Sequence, residues 1–590
     1  MSIKKALSLF TFTLLFAFGY SQGRKPFMDG DALQDQWVDS VFNKLSKKEK
    51  IGQLFFIRAH TDKGTAFEDS VAEVIKRDKV GGLVFFQGGP ARQAALTRRY
   101  QQITEVPLLI AMDAEWGLGM RLDSTVSYPY QMTLGAIRDS NLIYLMGREI
   151  GKDFKRLGMH LNFAPVTDIN NNPNNPVINY RSFGDNKYNV ASKAGAYMRG
   201  LQDEGILVSI KHFPGHGDTN VDSHSDLPLL NFTRQRLDSL ELYPFRELVK
   251  AGASGVMVAH MNIPALDNTP RLPSTLSRPI VTGLLKEEMG FRGLAISDAM
   301  EMKGVVKYFP DGEADVMAVI AGNDIIELSE NSSRAIKLVK KAIREKRLSK
   351  DQVIESVKKI LAAKYWAGLN KSVDLDTADI YNRLNSSESS ALNQRLSDAA
   401  VTVLKSDSLL KALDPNAKTA IISLGVTEVS LFQKELGMSF PNSTNFILSK
   451  IASAVDISAM LKELNNYSQI IMAIHDYRKR PQSVLDYNNP LKLLIADIAK
   501  KNTISCVFAN PYTIAGLPGI EQSQTILVNY QNSLEMQRAA AKVISGKMQS
   551  SGRLPVNINS FFKYGDGIDF FPVPRAVTGQ IENSGVPMPR

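Results

Sequence analysis

The chain has 590 residues, a formal net charge of +10 and 44% hydrophobic residues, so it is too long for one ordinary core and predicts two domains. The charge is modest for this length, and no long basic run is interleaved with aromatic residues, which argues against a nucleic-acid partner. The single cysteine, Cys506, excludes an internal disulfide and a metal site built on several thiolates.

The first predicted element is a secretory signal over residues 1–21. Lys4 and Lys5 precede an almost uncharged apolar run, Ala6–Tyr20, and small residues follow at the positions that a signal peptidase reads. Cleavage after residue 21 would leave an exported protein, either periplasmic or secreted. The run is short for a retained anchor, and no later stretch is apolar for the roughly 20 residues of a membrane span, so we expect none after cleavage.

Residues 30–370 are predicted to form a (β/α)8 barrel of the TIM type. Apolar runs alternate with helical stretches, which indicates parallel strands covered on both faces, and eight such units indicate a barrel. The predicted strands lie within Ile51–Ile57, Gly82–Phe86, Pro107–Met112, His160–Val166, Ile206–Ile210, Gly255–Ala259, Gly293–Ile296 and Asp324–Leu328. The clearest predicted helices between them are Leu142–Leu157, Tyr188–Glu204, Arg234–Ala251 and Ala314–Ala321.

The remainder of the chain predicts a second α/β domain. A helix over Asp351–Gly368, with Ser349 and Gln352 as a capping box, closes the barrel, and residues 371–388 form a polar linker. Residues 389–570 predict an α/β/α doubly wound sandwich without the Gly-rich signals of a nucleotide site. Its predicted strands are Thr419–Leu424, Gln469–Ile474, Thr503–Phe508 and Thr525–Val528. The tail, 571–590, is rich in Pro and Gly and is expected to wrap or fray.

Polar residues follow most of the apolar runs of the predicted barrel. The carboxyl ends of barrel strands form the face on which active sites are built, so these positions predict one shared site. They are Arg58, Asp113, Asp168, Lys211, His212, His260 and Asp298.

The segment Lys211–His224 contains three of the seven histidines of the chain. Pro214 and the glycines beside it exclude a helix, so we interpret the segment as a loop leaving the fifth strand. Asp222 and His224 are two residues apart, which predicts that both project from one side of an extended segment. A carboxylate that binds one imidazole nitrogen fixes the tautomer and leaves the other nitrogen to carry a proton.

Asp298 ends the seventh predicted strand and supplies a second reagent. Hydrolysis of a glycoside with retention requires a carboxylate nucleophile on one side of the sugar and a proton donor beside the leaving oxygen. Asp298 and His224 fit these two roles.

Lys211–His224 resembles the signature loop of family 3 glycoside hydrolases. The similarity is to the β-N-acetylglucosaminidase branch, whose loop reads Lys-His-Phe-Pro-Gly-His-Gly and ends in Asp-x-His, and the match has no gap. The resemblance implies that His224 replaces the usual carboxylic acid/base, that Asp222 orients it and that Asp298 is the nucleophile. It implies exo-acting, retaining release of terminal non-reducing β-GlcNAc from peptidoglycan fragments or related oligosaccharides, without a cofactor or metal.

The same resemblance implies a set of sugar-contacting residues. Asp113 would accept two hydroxyl groups of the terminal sugar, a role that needs two acceptor oxygens. The match is poorer at residues 113–117, which read Asp-Ala-Glu-Trp-Gly where the family reads Asp-Gln-Glu-Gly-Gly. Binding of the N-acetyl group or the aglycone is therefore expected to differ. Since the barrel supplies Asp222 and His224, the second domain is expected to buttress the site or to extend the substrate groove. The implied contacts are Asp113, Arg121, Arg181, Lys211 and His212.

Other functions are compatible with parts of this pattern. A β-GlcNAc or β-glucoside phosphorylase would form a sugar 1-phosphate, since a neutral histidine repels phosphate less than a carboxylate does. A broader family 3 β-glycosidase would cleave β-glucosides. Histidines and aspartates at strand ends are also typical of metal-dependent barrel hydrolases, which a chelator inactivates. A non-catalytic cell-wall-binding protein is the last alternative.

Overall fold

The computed structural model describes residues 24–223, 225–310, 312–371, 375 and 378–572. The predicted signal, 1–21, and all but two residues of the predicted tail, 571–590, lie outside the described residues. So does His224, the predicted acid/base. Within the part of the chain that is described, no helix has the length and apolar character needed to cross a membrane.

The first part of the chain forms a curled parallel sheet. The strands run in the order β5-β4-β3-β2-β1-β9 in one sheet and β6-β7-β8 in another. The Ser297 N–H donates to the Ile325 carbonyl (2.9 Å), and the Thr167 N–H donates to the Lys211 carbonyl (2.6 Å), so bonds at both ends join the two sheets. The strands are β1 Phe55–Ala59, β2 Gly82–Phe85, β3 Leu109–Met112, β4 Leu161–Asn162, β5 Leu207–Val208, β6 Ile210–Phe213, β7 Gly255–Val258, β8 Leu294–Ser297 and β9 Ile326–Glu327.

Helices follow most strands and cover the sheets with amphipathic faces. One such helix, Ser332–Arg344, buries residues spaced three and four apart, including Ala335, Ile336 and Val339, which is the pattern of a helix with one apolar face. The helices are α1 Ala32–Lys44, α2 Lys47–Gly52, α3 Thr65–Asp78, α4 Pro90–Gln102, α5 Gln131–Gly135, α6 Ser140–Arg156, α7 Lys187–Asp203, α8 Arg234–Ser239, α9 Tyr243–Lys250, α10 Lys303–Val306, α11 Glu313–Ala321, α12 Ser332–Arg344, α13 Lys350–Trp366, α14 Ile380–Leu384, α15 Ser387–Ala400, α16 Ser408–Ala412, α17 Leu431–Gly437, α18 Ala454–Leu464, α19 Asn489–Ala499 and α20 Leu534–Ile544. A π-helical segment spans Pro279–Glu288.

Each of the eight predicted apolar runs contains strand residues, but two boundaries were wrong. The first strand begins at Phe55, because Ser46 and Glu49 form a reciprocal capping box that starts α2 and extends helix into the predicted run. The fifth run holds β5 and the start of β6, which continues to Phe213. Lys211 and His212 therefore lie in a strand that pairs with β7, and the loop begins only at Pro214.

Two predicted helical features were also wrong. The single helix predicted over Arg234–Ala251 is split into α8 and α9, because Pro244 is tolerated in the first turn of α9 but not in a helix interior. At the start of α13, Ser349 accepts a hydrogen bond from the Asp351 N–H (3.2 Å). Gln352 donates to the Val319 carbonyl instead of completing the predicted capping box.

The second part of the described chain forms a six-stranded sheet in the order β10-β15-β14-β13-β11-β12. Its neighbouring pairs are parallel except β10–β15. The prediction missed β10, which is short, and β12, a half-exposed edge strand without a continuous apolar run. The predicted linker contains α14 and the start of α15. The strands are β10 Thr402–Leu404, β11 Thr419–Leu424, β12 Ser443–Leu448, β13 Gln469–His475, β14 Thr503–Phe508 and β15 Thr525–Val528.

Asp324, just before β9, neutralises two lysines from different helical segments. Its carboxylate accepts from Lys286 (3.1 Å) and Lys359 (3.3 Å), and also from the Ser356 hydroxyl (2.7 Å). Burial alone would raise the pKa of Asp324, but the charges of the two lysines outweigh it and lower the pKa to about 2. This carboxylate thus ties the sheet to the helices that cover it.

Replacing Asp324 with asparagine should destabilise the protein strongly. The variant leaves two positive charges without their partner, and loss of one member of a buried ion pair costs about 3–5 kcal/mol. Chemical denaturation of Asp324→Asn should show a fall of that size in the free energy of unfolding. Because the folded pKa is depressed, this stabilisation is present above about pH 4 and is lost as the pH falls towards 2.

The matched control is Asp497→Asn. Asp497 pairs with Lys500 on the surface of α19, where both side chains are more than half exposed, so the loss should stay below about 1 kcal/mol. Equal losses in the two variants would contradict the structural role of Asp324.

Candidate active site

A buried lysine of β6 lies between two carboxylates that follow β3. Lys211, in β6, is 2% exposed, and its Nζ lies 2.7 Å from Asp113 Oδ1 and 2.9 Å from Glu115 Oε1. Burial alone would lower the pKa of Lys211, but the charges of Asp113 and Glu115 raise it above the usual value. The ammonium group therefore stays charged.

Two arginines complete this network. Arg121 donates to Asp113 Oδ2 (2.6 Å), and Arg181 donates to both oxygens of Glu115 (2.6 and 3.0 Å). Burial alone would raise the pKa of each carboxyl group, but the cations outweigh it. They lower the pKa of Glu115 to about 2 and hold that of Asp113 well below its usual range. Both carboxylates are ionised at neutral pH, and three cations face them.

Asp168 orients His212 and the start of the following loop. Its carboxylate accepts from the backbone N–H of His212 (3.1 Å) and of His216 (2.7 Å), and lies 2.7 Å from His212 Nδ1. Burial alone would raise the pKa of Asp168, but His212 lowers it. The second ring nitrogen of His212 lies 3.4 Å from Arg181 Nη2. Asp168 thus braces the site, and His212 joins the charged network.

His216 holds the loop together from inside. It is buried, its Nδ1 lies 2.9 Å from Thr219 Oγ1, and its Nε2 lies 3.1 Å from Ser223 Oγ. Burial, reinforced by the charge of His212, lowers the pKa of His216 to about 4, so its ring is neutral at pH 7. These contacts give His216 a structural role in the loop.

The segment that begins at Asp222 is a turn. The Asp222 carbonyl accepts from the N–H groups of Ser225 (2.8 Å) and Asp226 (3.1 Å), so the predicted extended conformation was wrong. The turn is held because Asp226 accepts from Lys307 and from the Tyr308 hydroxyl, each at 2.8 Å. With His224 outside the described residues, its pairing with Asp222 stays a prediction.

Asp298 directly follows β8 and is half-buried. Its N–H donates to the Val258 carbonyl (2.9 Å), and its Oδ1 accepts from the Ala299 N–H (2.8 Å). The carbonyl of Ala299 lies 3.1 Å from Nε2 of the buried His260. These contacts fix the backbone on both sides of the Asp298 carboxylate.

The structure brings five predicted contacts, Asp113, Arg121, Arg181, Lys211 and His212, into one network. Two carboxylates were missed by the sequence reasoning. Glu115, which joins Lys211 to Arg181, lies within the quoted segment 113–117, but its partners are distant in sequence. Glu327 ends β9, and the signal that could have found it was an acidic residue among the apolar residues 325–328.

The second sheet supports the segment that carries Arg181. Asn510, after β14, donates to Asn179 Oδ1 (2.5 Å), and the Tyr512 hydroxyl donates to the Asn170 carbonyl (3.2 Å). Asn179 in turn donates to Ser483 Oγ (2.9 Å). The loops at the carboxyl ends of β13 and β14 therefore buttress one side of the charged network.

An aromatic cluster occupies the position where the chain departs from the family pattern. The rings of Trp116 and Tyr130 meet edge to face with centroids 4.9 Å apart, and those of Tyr130 and Tyr180 are 4.8 Å apart. Tyr180 directly precedes Arg181. The glycine of the family segment is thus replaced by a tryptophan that packs beside the site.

A search of the described residues finds no cluster of three or more His, Cys, Asp or Glu side chains that could hold a metal ion. The charged groups of the site are instead paired with one another.

A curled parallel sheet that carries a network of fixed charges and a further aspartate at its strand ends is compatible with a glycoside hydrolase. Residues 46–363 match the model of the glycosyl hydrolase family 3 N terminal domain. The chain belongs to this family, and it is a glycosidase that acts on carbohydrate.

Three similar proteins span most or much of the chain. Beta-hexosaminidase A of Pseudoalteromonas piscicida is 28% identical over 566 residues, 84% of this chain and 92% of that protein. A beta-N-acetylglucosaminidase/beta-glucosidase of Cellulomonas fimi is 27% identical over 64% of this chain and 68% of its own length. The structure of a family 3 beta-N-acetylglucosaminidase from Paenibacillus sp. str. FPU-7 superposes with a TM-score of 0.73 and 32% identity, covering 87% of this chain and 98% of that one.

Adding a methyl group at Gly217 should displace the loop and lower activity. A Cβ atom there would lie 1.8 Å from the Ile169 carbonyl oxygen, so the backbone must shift. Since a displacement of about 1 Å in an active site can cost about 100-fold, Gly217→Ala should lower kcat/KM on a chromogenic glycoside at least about tenfold. The control is Gly437→Ala at the end of α17, where nothing lies within 4 Å. Unchanged activity in Gly217→Ala would contradict the tight seating of the loop.

Proposed function

We propose that this chain is an exo-acting, retaining β-N-acetylglucosaminidase that releases terminal non-reducing GlcNAc from peptidoglycan fragments or related oligosaccharides. The observation that carries the proposal is the buried network around Lys211, which presents fixed donors and acceptors on the sheet β6-β7-β8, whose last strand Asp298 follows. The names of the relatives support GlcNAc as the sugar, because a beta-hexosaminidase and a beta-N-acetylglucosaminidase each match most of the chain.

The network suits recognition of one terminal sugar. Asp113 offers acceptor oxygens to two hydroxyl groups, while Lys211, His212 and Arg181 offer donors to their oxygens. Because these groups hold one another in place before the substrate binds, they need little reorganisation when it arrives. A sugar end enclosed by such a network favours release of single residues from a chain end.

The proposed chemistry uses two reagents on either side of the anomeric carbon. The Asp298 carboxylate attacks C1 and forms a glycosyl ester, while the C1–O bond to the aglycone breaks and the leaving oxygen takes a proton from His224. A water molecule then gives a proton to His224 and attacks C1. The C1–Asp298 bond breaks, GlcNAc is released with its configuration retained, and both side chains return to their starting states.

Asp222 is proposed to orient His224. A carboxylate that accepts from one ring nitrogen stabilises the imidazolium and holds the other nitrogen towards the leaving oxygen. The turn that begins at Asp222 and the contacts of His216 with Ser223 support this proposal, because they fix the backbone on the amino-terminal side of His224.

We also propose the finer architecture around this site. Residues 30–370 form a closed (β/α)8 barrel, 371–388 a linker, 389–570 a doubly wound sandwich, and 571–590 a tail. The bonds that join the two parallel sheets and the order of the second sheet support it. The signal over residues 1–21 supports export, with a periplasmic or secreted location.

Two variants should separate the two reagents. Asp298→Ala removes the nucleophile, so kcat/KM should fall at least about 10³-fold on every substrate. His224→Ala removes the proton donor, so it should slow a natural GlcNAc disaccharide far more than an aryl GlcNAc, whose leaving group needs no proton. Initial rates on both substrates give the comparison.

A strongly active Asp298→Ala variant, or equal losses on both substrates in His224→Ala, would overturn these assignments. Assays of the wild-type enzyme distinguish the alternative classes of reaction. A sugar 1-phosphate formed in phosphate buffer would identify a phosphorylase. Faster cleavage of an aryl β-glucoside than of an aryl β-GlcNAc would identify a β-glucosidase. Loss of activity with a chelator would identify a metal-dependent hydrolase.

A further inference from the structure

Glu327 is a buried acidic residue that the mechanism above does not use. It is 3% exposed, it ends β9, and its backbone N–H donates to the Ser297 hydroxyl oxygen (2.8 Å) directly before Asp298. Its Oε2 atom is buried and has no hydrogen-bond partner among the described residues. A buried polar atom without a partner is costly in free energy, so such an atom at an active site calls for a ligand.

The strand register places Glu327 on the face of the sheet that carries Asp298. Ile296 of β8 pairs with Ile325, so two residues further along Asp298 lies opposite Glu327. Opposite residues of neighbouring parallel strands project to the same face, and side chains alternate along each strand.

Asp113 projects from the same face on the other side of β1. Glu327 pairs with Phe56, which pairs with Gly82, which pairs with Leu109. Asp113 is four residues after Leu109, an even step that returns to the same face. The charges of Asp113 and Asp298 both act on the Glu327 carboxyl group, in agreement with this placement.

The surroundings of Glu327 favour its neutral form. Burial, and then the charges of Asp113 and Asp298, raise its pKa well above the usual value. The nearby cations are held elsewhere, since Lys211 pairs with Asp113 and Arg58 with Glu301. A neutral carboxyl group donates one hydrogen bond and accepts others, as a sugar hydroxyl does, whereas an ionised one can only accept.

We propose that Glu327 contacts the terminal sugar directly, donating a hydrogen bond from its carboxyl group to one ring or exocyclic hydroxyl. It adds a donor from β9 to the contacts that Asp113 and Lys211 make from β3 and β6. This role rests on the proposed GlcNAc-releasing function. It makes Glu327 a substrate-binding residue that sets which hydroxyl pattern the site accepts.

The test is a double cycle, in which each enzyme variant is assayed on substrates that lack one hydroxyl group. Wild type, Glu327→Met and Glu327→Gln are assayed on an aryl β-GlcNAc and on its 3-deoxy, 4-deoxy and 6-deoxy forms. Glu327→Met should lower kcat/KM on the parent substrate by about 10- to 100-fold, since a buried hydroxyl loses its partner. On one deoxy form the same substitution should cost less than about threefold, because that hydroxyl is already absent.

Glu327→Gln keeps the shape and can still donate, so its activity on the parent should stay within about tenfold of wild type. If Glu327→Met does not fold, the cycle is measured with Glu327→Gln, where a coupling of about threefold on one deoxy form is expected. The control is Asp153→Asn, a buried carboxyl group on α6 that pairs with Arg156 and should couple to no substrate hydroxyl.

If Glu327→Met lowers kcat/KM by the same factor on all three deoxy forms as on the parent substrate, Glu327 contacts none of these hydroxyl groups. That result would overturn the role of Glu327 and leave the proposed function intact. A wild-type enzyme that does not cleave the parent aryl β-GlcNAc would instead overturn the proposed function. The two failures are therefore distinguishable in one set of assays.

Discussion

The buried ammonium group of Lys211 is the constraint on which the rest of the site depends. A lysine that is 2% exposed is tolerated only if its charge is paired, and here Asp113 and Glu115 pair with it. Each carboxylate then needs a further cation, which Arg121 and Arg181 supply. The ends of β3 and β6 and the segment before α7 are thereby held in one arrangement.

The part of the site that is proposed to hold the sugar and the part that is proposed to react are built differently. The network around Lys211 is buried and mutually paired. The proposed reagents come from the end of β8 and from the loop after β6, which Asp168 and His216 brace from inside. The second sheet contributes support to the side that carries Arg181. The contacts that the second sheet makes beside the site are supporting ones, which agrees with the proposal that the loop after β6 supplies the acid/base, His224.

Much of this could be predicted from the sequence because strands buried on both faces are continuous apolar runs, and polar residues that follow them stand out. Asp113, Lys211 and Asp298 were found in this way. Glu115 and Glu327 were not assigned roles, because the groups that act on them lie 29 to 214 residues away along the chain. Local geometry was the other source of error, as in the helix that replaces the start of the first strand, where the capping box of Ser46 and Glu49 overrides the apolar pattern.

The proposed bond between the Asp298 carboxylate and the anomeric carbon can be trapped. The enzyme is incubated with a fluorinated aryl glycoside that forms the glycosyl enzyme quickly and releases it slowly, and is then digested and analysed by mass spectrometry. We expect the added sugar mass on the peptide that contains Asp298. The mass on another carboxylate, such as Glu327 or Asp222, would contradict it.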